Sequence, residues 1–447
     1  MADIVLIYPY FQPRNSKSMF RFPPLGIGYI ASYLFRRGVN VKIIDCTYQN
    51  ENDVISQVKQ LNPRVIGMQC ILSTEKNALK LARILKKHDN LLISGGHYPS
   101  IDPSLFLKDF DLAVLGEGEQ TVLEIMQNSE DYKDISGIAY KNGDEIVYTE
   151  PRKVIEDLDS LPFPARDMFP NEAYQSNGIS RFGYSMTSLI TTRGCPFNCD
   201  YCSRAVSGNK YRERSKENVV DEIEQILSYG YDRIWIADDV FTLHKSYVMG
   251  VCDEILKRGL KCQWECLSRA DTLDPELARQ MKASGCVRVF FGIESGSNDV
   301  LHEMKKHLTV EQAISAIETA KKVGLNTGAF FILGYPGEND NTILQTIKFS
   351  NSLSLDYVSF SFPYPFPGTG LYEKVKDRLM PEYWDLLSHG MMKHKLVFKS
   401  DFSETKLRFA LFKGNTQFKL KKHCQKYGFI PYRFFDKATE FMFRLMK

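Results

Sequence analysis

The sequence predicts an α/β protein in three parts: a doubly wound domain of flavodoxin type, a partial, open (β/α)6 barrel, and a helical C-terminal region. Two separate series of short apolar, β-branched runs alternate with amphipathic helical stretches, the pattern of parallel sheets crossed by helices. A proline-rich segment divides the two series, and strand-like runs stop after about residue 371.

The first series occupies residues 1–130. Ile4–Tyr8, Val41–Asp45, Val65–Cys70, Leu91–Ser94 and Leu112–Leu115 read as strands. Five such units predict a sheet whose ligand site lies off the carboxyl ends of the strands. Those ends carry Pro9–Phe22, Gln69–Ser73, Gly95-Gly96-His97 and Gly116-Glu117-Gly118-Glu119. Residues 131–182 read as a hairpin and linker. Ile135–Tyr140 and Glu145–Thr149 flank the turn signal Asn142-Gly143, and the prolines lie between Leu161 and Arg166.

The second series spans residues 183–370. Its strands are Met186–Thr192, Arg233–Asp238, Gln263–Arg269, Val287–Ile293, Gly328–Leu333 and Tyr357–Pro363. Glu217–Ser228, Ser246–Arg258, Pro275–Ser284 and Val310–Val323 are among the helical stretches between them. Six βα units are too few for a closed eight-stranded barrel, so a partial one is expected, with its site at the carboxyl ends of the strands. Residues 371–447 read as helical, with no repeat and no low-complexity stretch.

Composition narrows the class. Of 447 residues, 43% are hydrophobic and 25% charged, as in ordinary globular proteins. No run reaches the roughly 18 apolar residues of a membrane span. The opening Met-Ala-Asp-Ile-Val-Leu-Ile lacks a basic stretch before its apolar run, so it reads as a first strand and not as a signal peptide. A cytoplasmic location is therefore expected, where the ten cysteines serve as core residues or metal ligands and not as disulfides. The net charge of +3 is uneven: residues 405–447 hold eleven Lys/Arg against two acids, with ten Phe/Tyr. That tail reads either as a basic aromatic surface for a membrane or nucleic acid, or as an amphipathic cap with buried aromatics and solvated lysines. Composition favours the cap, and no nucleic-acid partner is expected.

One motif carries specific chemistry. Arg193-Gly-Cys195-Pro-Phe-Asn-Cys199-Asp-Tyr201-Cys202 follows the first barrel strand. Three thiolates spaced C-x3-C-x2-C can hold three irons of a [4Fe–4S] cubane and leave the fourth open. A structural zinc site needs a fourth ligand, and none is at hand: His97 is in the other domain and His244 lies beyond the second strand. Cys252, Cys262, Cys266, Cys286 and Cys424 show no ligand spacing and read as core.

C-x3-C-x-aromatic-C after the first strand of such a barrel resembles the radical S-adenosylmethionine (SAM) superfamily, with Tyr201 as the aromatic. The resemblance implies that SAM chelates the open iron and is cleaved by one electron to methionine and a 5′-deoxyadenosyl radical, the electron coming from a donor such as flavodoxin or ferredoxin. It also implies SAM contacts at successive strand ends. Asp238 and Asp239 stand where the family has a Gly-Gly-Glu-like motif for the amino group. Arg269 suits a carboxylate clamp, Glu294 and Ser295 the ribose and carboxylate, and Ile332 and Gly334 the adenine. Two departures touch the last pair: Phe330 replaces the family's leading glycine, and Glu338 sits one place late.

The first domain, with Pro24-Leu-Gly-Ile-Gly-Tyr-Ile, Ser94-Gly-Gly-His-Tyr-Pro and Leu115-Gly-Glu-Gly-Glu, resembles the cobalamin-binding domain that precedes many radical SAM barrels. That resemblance implies cobalamin over Gln69, Ser73, Gly95, Gly96, His97, Gly116, Glu117 and Gly118. No Asp-x-His-x-x-Gly motif is present, so cobalt is expected to lack a protein histidine below it. A nucleotide-binding domain would need G-x-G-x-x-G after a strand, which is absent.

The resemblance implies a cobalamin-dependent radical SAM methyltransferase acting on an unactivated carbon. One SAM would supply methylcobalamin and a second the radical. The alternative is a cyclase or other bond-forming enzyme without net methylation, like the magnesium-protoporphyrin oxidative cyclase, which shares the layout. No catalytic residue is assigned, and the substrate is open among small molecules, peptides and proteins. Pro363–Thr369 reads as shaping the barrel mouth or as a turn, with Tyr364 and Phe366 as candidate channel residues.

Overall fold

The computed structural model describes residues 2–12, 21–86, 90–128, 132–383, 394–427 and 432–446. Residues 13–20 of the Pro9–Phe22 loop and the side chain of Cys424 lie outside them. The chain forms two compact units, one of residues 1–196 with 204–235, the other of 197–203 with 236–447.

The first unit opens with β1 (Ile4–Tyr8), α1 (Leu25–Phe35), β2 (Val41–Asp45), α2 (Glu51–Leu61), β3 (Val65–Gln69), α3 (Glu75–Leu85), β4 (Leu91–Gly95), α4 (His97–Ile101), β5 (Leu112–Val114) and α5 (Glu119–Gln127). The first five strands lie in the order β2-β1-β3-β4-β5, the doubly wound flavodoxin order the sequence predicts. Continuous runs such as Ile4–Ile7 are buried because helices cover both faces of a parallel sheet. Asn50 caps α2 by accepting from Asp53 N–H, and Asn62 ends it at φ 41°.

The hairpin β6 (Ile138–Asn142) and β7 (Glu145–Tyr148) joins the same sheet as an antiparallel edge next to β5. The segment read as a linker is packed: Leu161, Ala165 and Arg166 are buried. Arg166 donates to Glu222 Oε1 at 2.6 Å, and Arg214 donates to Glu222 Oε2 at 2.6 Å. Loss of one partner of such a buried set costs roughly 3–5 kcal/mol. An unexpected helix, α6 (Asn171–Phe182), follows; its Tyr174 hydroxyl donates to Asp45 at 2.7 Å. The unit continues through β8 (Met186–Leu189), the antiparallel pair β9 (Thr192–Arg193) and β10 (Arg212–Glu213), α7 (Lys216–Ser228) and β11 (Arg233–Ile236), whose last residue belongs to the second unit.

The second unit carries α8 (Lys245–Lys257), β12 (Gln263–Ser268), α9 (Pro275–Ala283), β13 (Cys286–Glu294), α10 (Asn298–Glu303), α11 (Val310–Lys322), β14 (Asn326–Ile332), α12 (Asp340–Ser352) and β15 (Tyr357–Ser361). Strands β12 to β15 lie side by side in chain order, all parallel. Capping boxes start α11 at Thr309/Gln312 and α12 at Asn339/Thr342. The helical region follows as α13 (Gly370–Val375), α14 (Glu404–Tyr427) and α15 (Tyr432–Leu445). No helix among the described residues is long and apolar enough to cross a membrane.

The tail differs from the favoured cap. Phe434, Phe441, Met442 and Leu445 of α15 and Phe412 of α14 are exposed, whereas Lys413 is fully buried. Apolar periodicity marks a face of a helix but not the direction in which that face points.

Candidate active site

The three motif cysteines stand on the loop between β9 and β10. Gly194 precedes the first at φ 86°, where a Cβ would meet Lys210 O at 2.2 Å, so only glycine lets the chain turn there. In the first unit, Cys195 N–H donates to Gly208 O at 3.3 Å and Arg204 Nη1 donates to Cys195 O at 3.2 Å. Cys195 and Cys199 are half-buried and Cys202 is exposed; the other described cysteines are all buried. Burial pushes the thiols of Cys262 and Cys252 up to about 11 and 12, and that of Cys266 well above its ordinary value. No three His, Cys, Asp or Glu side chains among the described residues are already gathered as a metal site. The fit to an iron–sulfur cluster therefore rests on donor chemistry: three accessible soft thiols on one loop.

Within the first unit, the Glu117 side chain is already hydrogen-bonded. Its carboxylate accepts from Arg193 Nη1 at 3.1 Å, Arg212 Nη1 at 2.9 Å and Ile155 N–H at 2.7 Å. Glu119 accepts from Arg193 Nη2 at 2.7 Å. Burial opposes the Arg193 charge, but the two carboxylates outweigh it. Of the other residues named for cobalamin, Gln69 ends β3 with its buried Oε1 unpartnered. Gly96, at φ 110°, packs on Cys70 O, and Gly95 lies against Val114. His97 opens α4, and burial lowers its pKa. Gly116, at φ 75°, and Gly118 are half-buried, and Ser73 is exposed. A strand-end edge of small residues with one orphaned acceptor fits a broad amide-bearing ligand.

In the second unit, two cluster-loop residues are held from beneath. Asp200 Oδ2 accepts from the Tyr335 hydroxyl at 2.8 Å and Lys374 Nζ at 2.8 Å, and Lys305 Nζ lies 3.3 Å from Oδ1. Burial raises the Asp200 pKa, yet these donors outweigh it and hold the carboxyl below its usual range. Lys306 Nζ, buried, donates to the Tyr201 hydroxyl and to Glu294 Oε1, each at 3.1 Å. Desolvation, then Glu294, raise the Tyr201 pKa well above ordinary, so the phenol is neutral.

Glu294 sits at φ 73° where β13 shifts register, and Lys305 and His307 lie at φ 48° and 49°. Non-glycine residues in this region cost roughly 1–3 kcal/mol each, and such strain gathers at functional sites. At Gly292 a Cβ would meet Glu294 Oε1 at 2.7 Å, so that glycine makes room for the ion pair.

Arg269 joins the same arrangement. Its guanidinium stacks 3.8 Å from the Phe197 ring centre, and its Nε and Nη2 donate to Asp271 at 2.9 and 2.8 Å. Nη2 also donates to Lys306 O and His307 O. The structure thus ties Tyr201, Arg269 and Glu294 together through Lys305–His307, a segment no motif marked. Asp238 is buried and Asp239 exposed, just beyond β11. Ser295 is buried with its Oγ 3.1 Å from Thr346 Oγ1, where it supports the turn after β13. Ile332 ends β14, buried. Tyr364 is buried and Phe366 half-buried, and Thr369 caps α13 by accepting from Tyr372 N–H at 3.2 Å.

Gly334 N–H and Tyr335 N–H donate to Glu338 Oε2 at 2.7 and 3.0 Å. Burial pushes the Glu338 carboxyl up to about 7 despite these donors. Its folded pKa lies above the unfolded 4.5, so its contribution is fully present below pH 4.5 and is lost as pH rises through 7. The loss amounts to about 3 kcal/mol. Denaturant unfolding of Glu338→Gln against wild type at pH 5 and pH 8 is expected to favour the variant at the higher pH. An unchanged difference would contradict the assignment.

Comparison with known proteins follows the same division. The model of the radical SAM superfamily matches residues 189–350, and that of the B12 binding domain matches residues 14–126. An uncharacterized methyltransferase of Pyrococcus horikoshii is 36% identical over 363 residues, 78% of this chain and 78% of that protein. The anaerobic magnesium-protoporphyrin IX monomethyl ester cyclase of Rubrivivax gelatinosus is 27% identical over 394 residues, 84% of this chain and 70% of that one. Among solved structures, the radical SAM methyltransferase TsrM of Kitasatospora setae, with cobalamin and a [4Fe–4S] cluster bound, superposes with TM-score 0.72. It is 18% identical and covers 85% of this chain and 76% of its own, a likeness of fold.

Proposed function

The chain belongs to the radical SAM family with a cobalamin-binding domain, and on that premise we propose that it methylates an unactivated carbon of a small-molecule or peptide substrate. In this reading Cys195, Cys199 and Cys202 hold the [4Fe–4S] cluster, and the strand-end edge around Gln69, Gly95 and Gly96 receives cobalamin. Bound there, these groups supply one-electron cleavage of SAM and the carriage of a methyl group.

The chain's own residues position and shield. The observation that carries the reading is the Tyr201–Lys306–Glu294 set, in which Lys306 and Glu294 are buried, Glu294 sits at φ 73°, and Tyr201 lies between Cys199 and Cys202 in the chain. A carboxylate held at a strand end by a buried lysine suits the polar groups of SAM, and the neutral Tyr201 fixes the loop bearing Cys199 and Cys202. Arg269, whose fork rests on Asp271, acts in this reading as the brace of Lys305–His307.

A methyltransferase of this kind uses SAM twice per product, so S-adenosylhomocysteine and 5′-deoxyadenosine are expected together. The cyclase reading, kept in view by the Rubrivivax relative, gives 5′-deoxyadenosine without stoichiometric S-adenosylhomocysteine. Quantifying both compounds during substrate turnover separates the two.

A further inference from the structure

Helix α15 is turned the opposite way from a helix that packs with its apolar face inward. Phe434, Phe441, Met442 and Leu445 are 81%, 65%, 53% and 68% exposed. Their spacing of seven, eight and eleven residues from Phe434 puts them on one face, about 16 Å long. Asp436, Thr439, Glu440 and Arg444 of the helix make contacts with the body. Lys413, wholly buried, donates to Asp436 Oδ1 at 2.6 Å and to Thr439 Oγ1 at 2.9 Å. Lys348 pairs with Glu440 at 2.8 Å, and Arg444 Nη1 donates to Asn341 at 2.9 Å. These contacts, with Phe443 buried between them, fix the rotation of the helix and hold the apolar face outward.

Exposed Lys437 and Arg444 flank that face, in a segment of residues 405–447 whose formal charge is +9. Beside the helix an open groove of about 420 Å³ is lined by Leu344, Phe349, Lys348 and Arg444 among others. An outward stripe of Phe, Met and Leu with basic flanks is the pattern of helices that lie in the plane of a bilayer surface.

We propose that α15 docks the enzyme on an anionic phospholipid surface, the aromatic stripe entering the headgroup boundary and the exposed Lys437 meeting lipid phosphates. Such docking needs no spanning helix. The charge balance selects a negatively charged bilayer over a neutral one.

Co-sedimentation of the full, anaerobically reconstituted chain with phosphatidylcholine vesicles, with and without phosphatidylglycerol, tests this. Binding to the anionic vesicles is expected to be roughly tenfold tighter than to neutral ones and to weaken with salt. Phe441→Ser with Leu445→Ser is expected to weaken it on the order of 100-fold, and Lys437→Glu about tenfold. Neither change should move the thermal transition, because all three side chains face solvent. Wild-type protein left in the supernatant with anionic vesicles would overturn the proposal, as would full binding by the double variant. A dimer that the double variant dissolves, without vesicle binding, would overturn it in favour of a second copy.

Discussion

Cys199→Ala is expected to bring reductive cleavage of SAM to 5′-deoxyadenosine below detection, and Cys195→Ala and Cys202→Ala to do the same. In the proposed assignment each thiol is one of three ligands that would leave a single iron open, so removing any one would change the cluster itself and not merely its surroundings. The contrast lies inside the same chain. Cys286 is 1% exposed, in strand β13 and away from the motif loop, so Cys286→Ala should leave iron content and cleavage intact. Anaerobically reconstituted wild type should hold about four irons with a broad visible band. Iron analysis with 5′-deoxyadenosine quantitation across the four variants checks this. Cleavage that persists in Cys199→Ala would remove the basis of the assignment.

Sequence reading reached furthest where chemistry and local structure coincide. The strand runs read at Ile4–Tyr8 and Val41–Asp45 coincide with β1 and β2, and the parallel sheet follows from alternation, because a parallel strand requires a crossover. The cysteine motif falls on a single loop between β9 and β10, where three closely spaced thiols can share a ligand.

Groups whose meaning depends on a distant partner were not legible. Glu117 is named for cobalamin through the family resemblance alone, and the pairing of its carboxylate with Arg193, 76 residues on, is visible only in the fold. Asp200 is a spacer within the cysteine motif, and only the fold brings Tyr335, 135 residues away, to it. Lys306 is the second residue of an ordinary Lys-Lys pair, and nothing local announces its hydrogen bond to Tyr201. The nearest available signal was Gly292, two residues before Glu294, where a strand glycine marks a close approach. Helix α6 was hidden by the prolines before it. For α15 the apolar pattern was visible, but its outward direction is set by the Lys413 pairing with Asp436.

The methyl-transfer half of the proposed reaction can be isolated without knowing the substrate. The protein, reconstituted with iron, sulfide and cobalamin, is incubated under reducing conditions with SAM labelled in its methyl group. A B12 binding domain matches residues 14–126, so cobalamin is expected to stay with the protein through gel filtration. S-Adenosylhomocysteine and label on that cobalamin should then form in equal amounts. The label should also form in Cys199→Ala if cobalt is reduced chemically, because this half does not draw on radical cleavage. A cyclase has no need of this step. Wild type is expected to give equimolar S-adenosylhomocysteine and cobalamin-bound label; 5′-deoxyadenosine formed with no label on cobalamin would contradict methyl transfer.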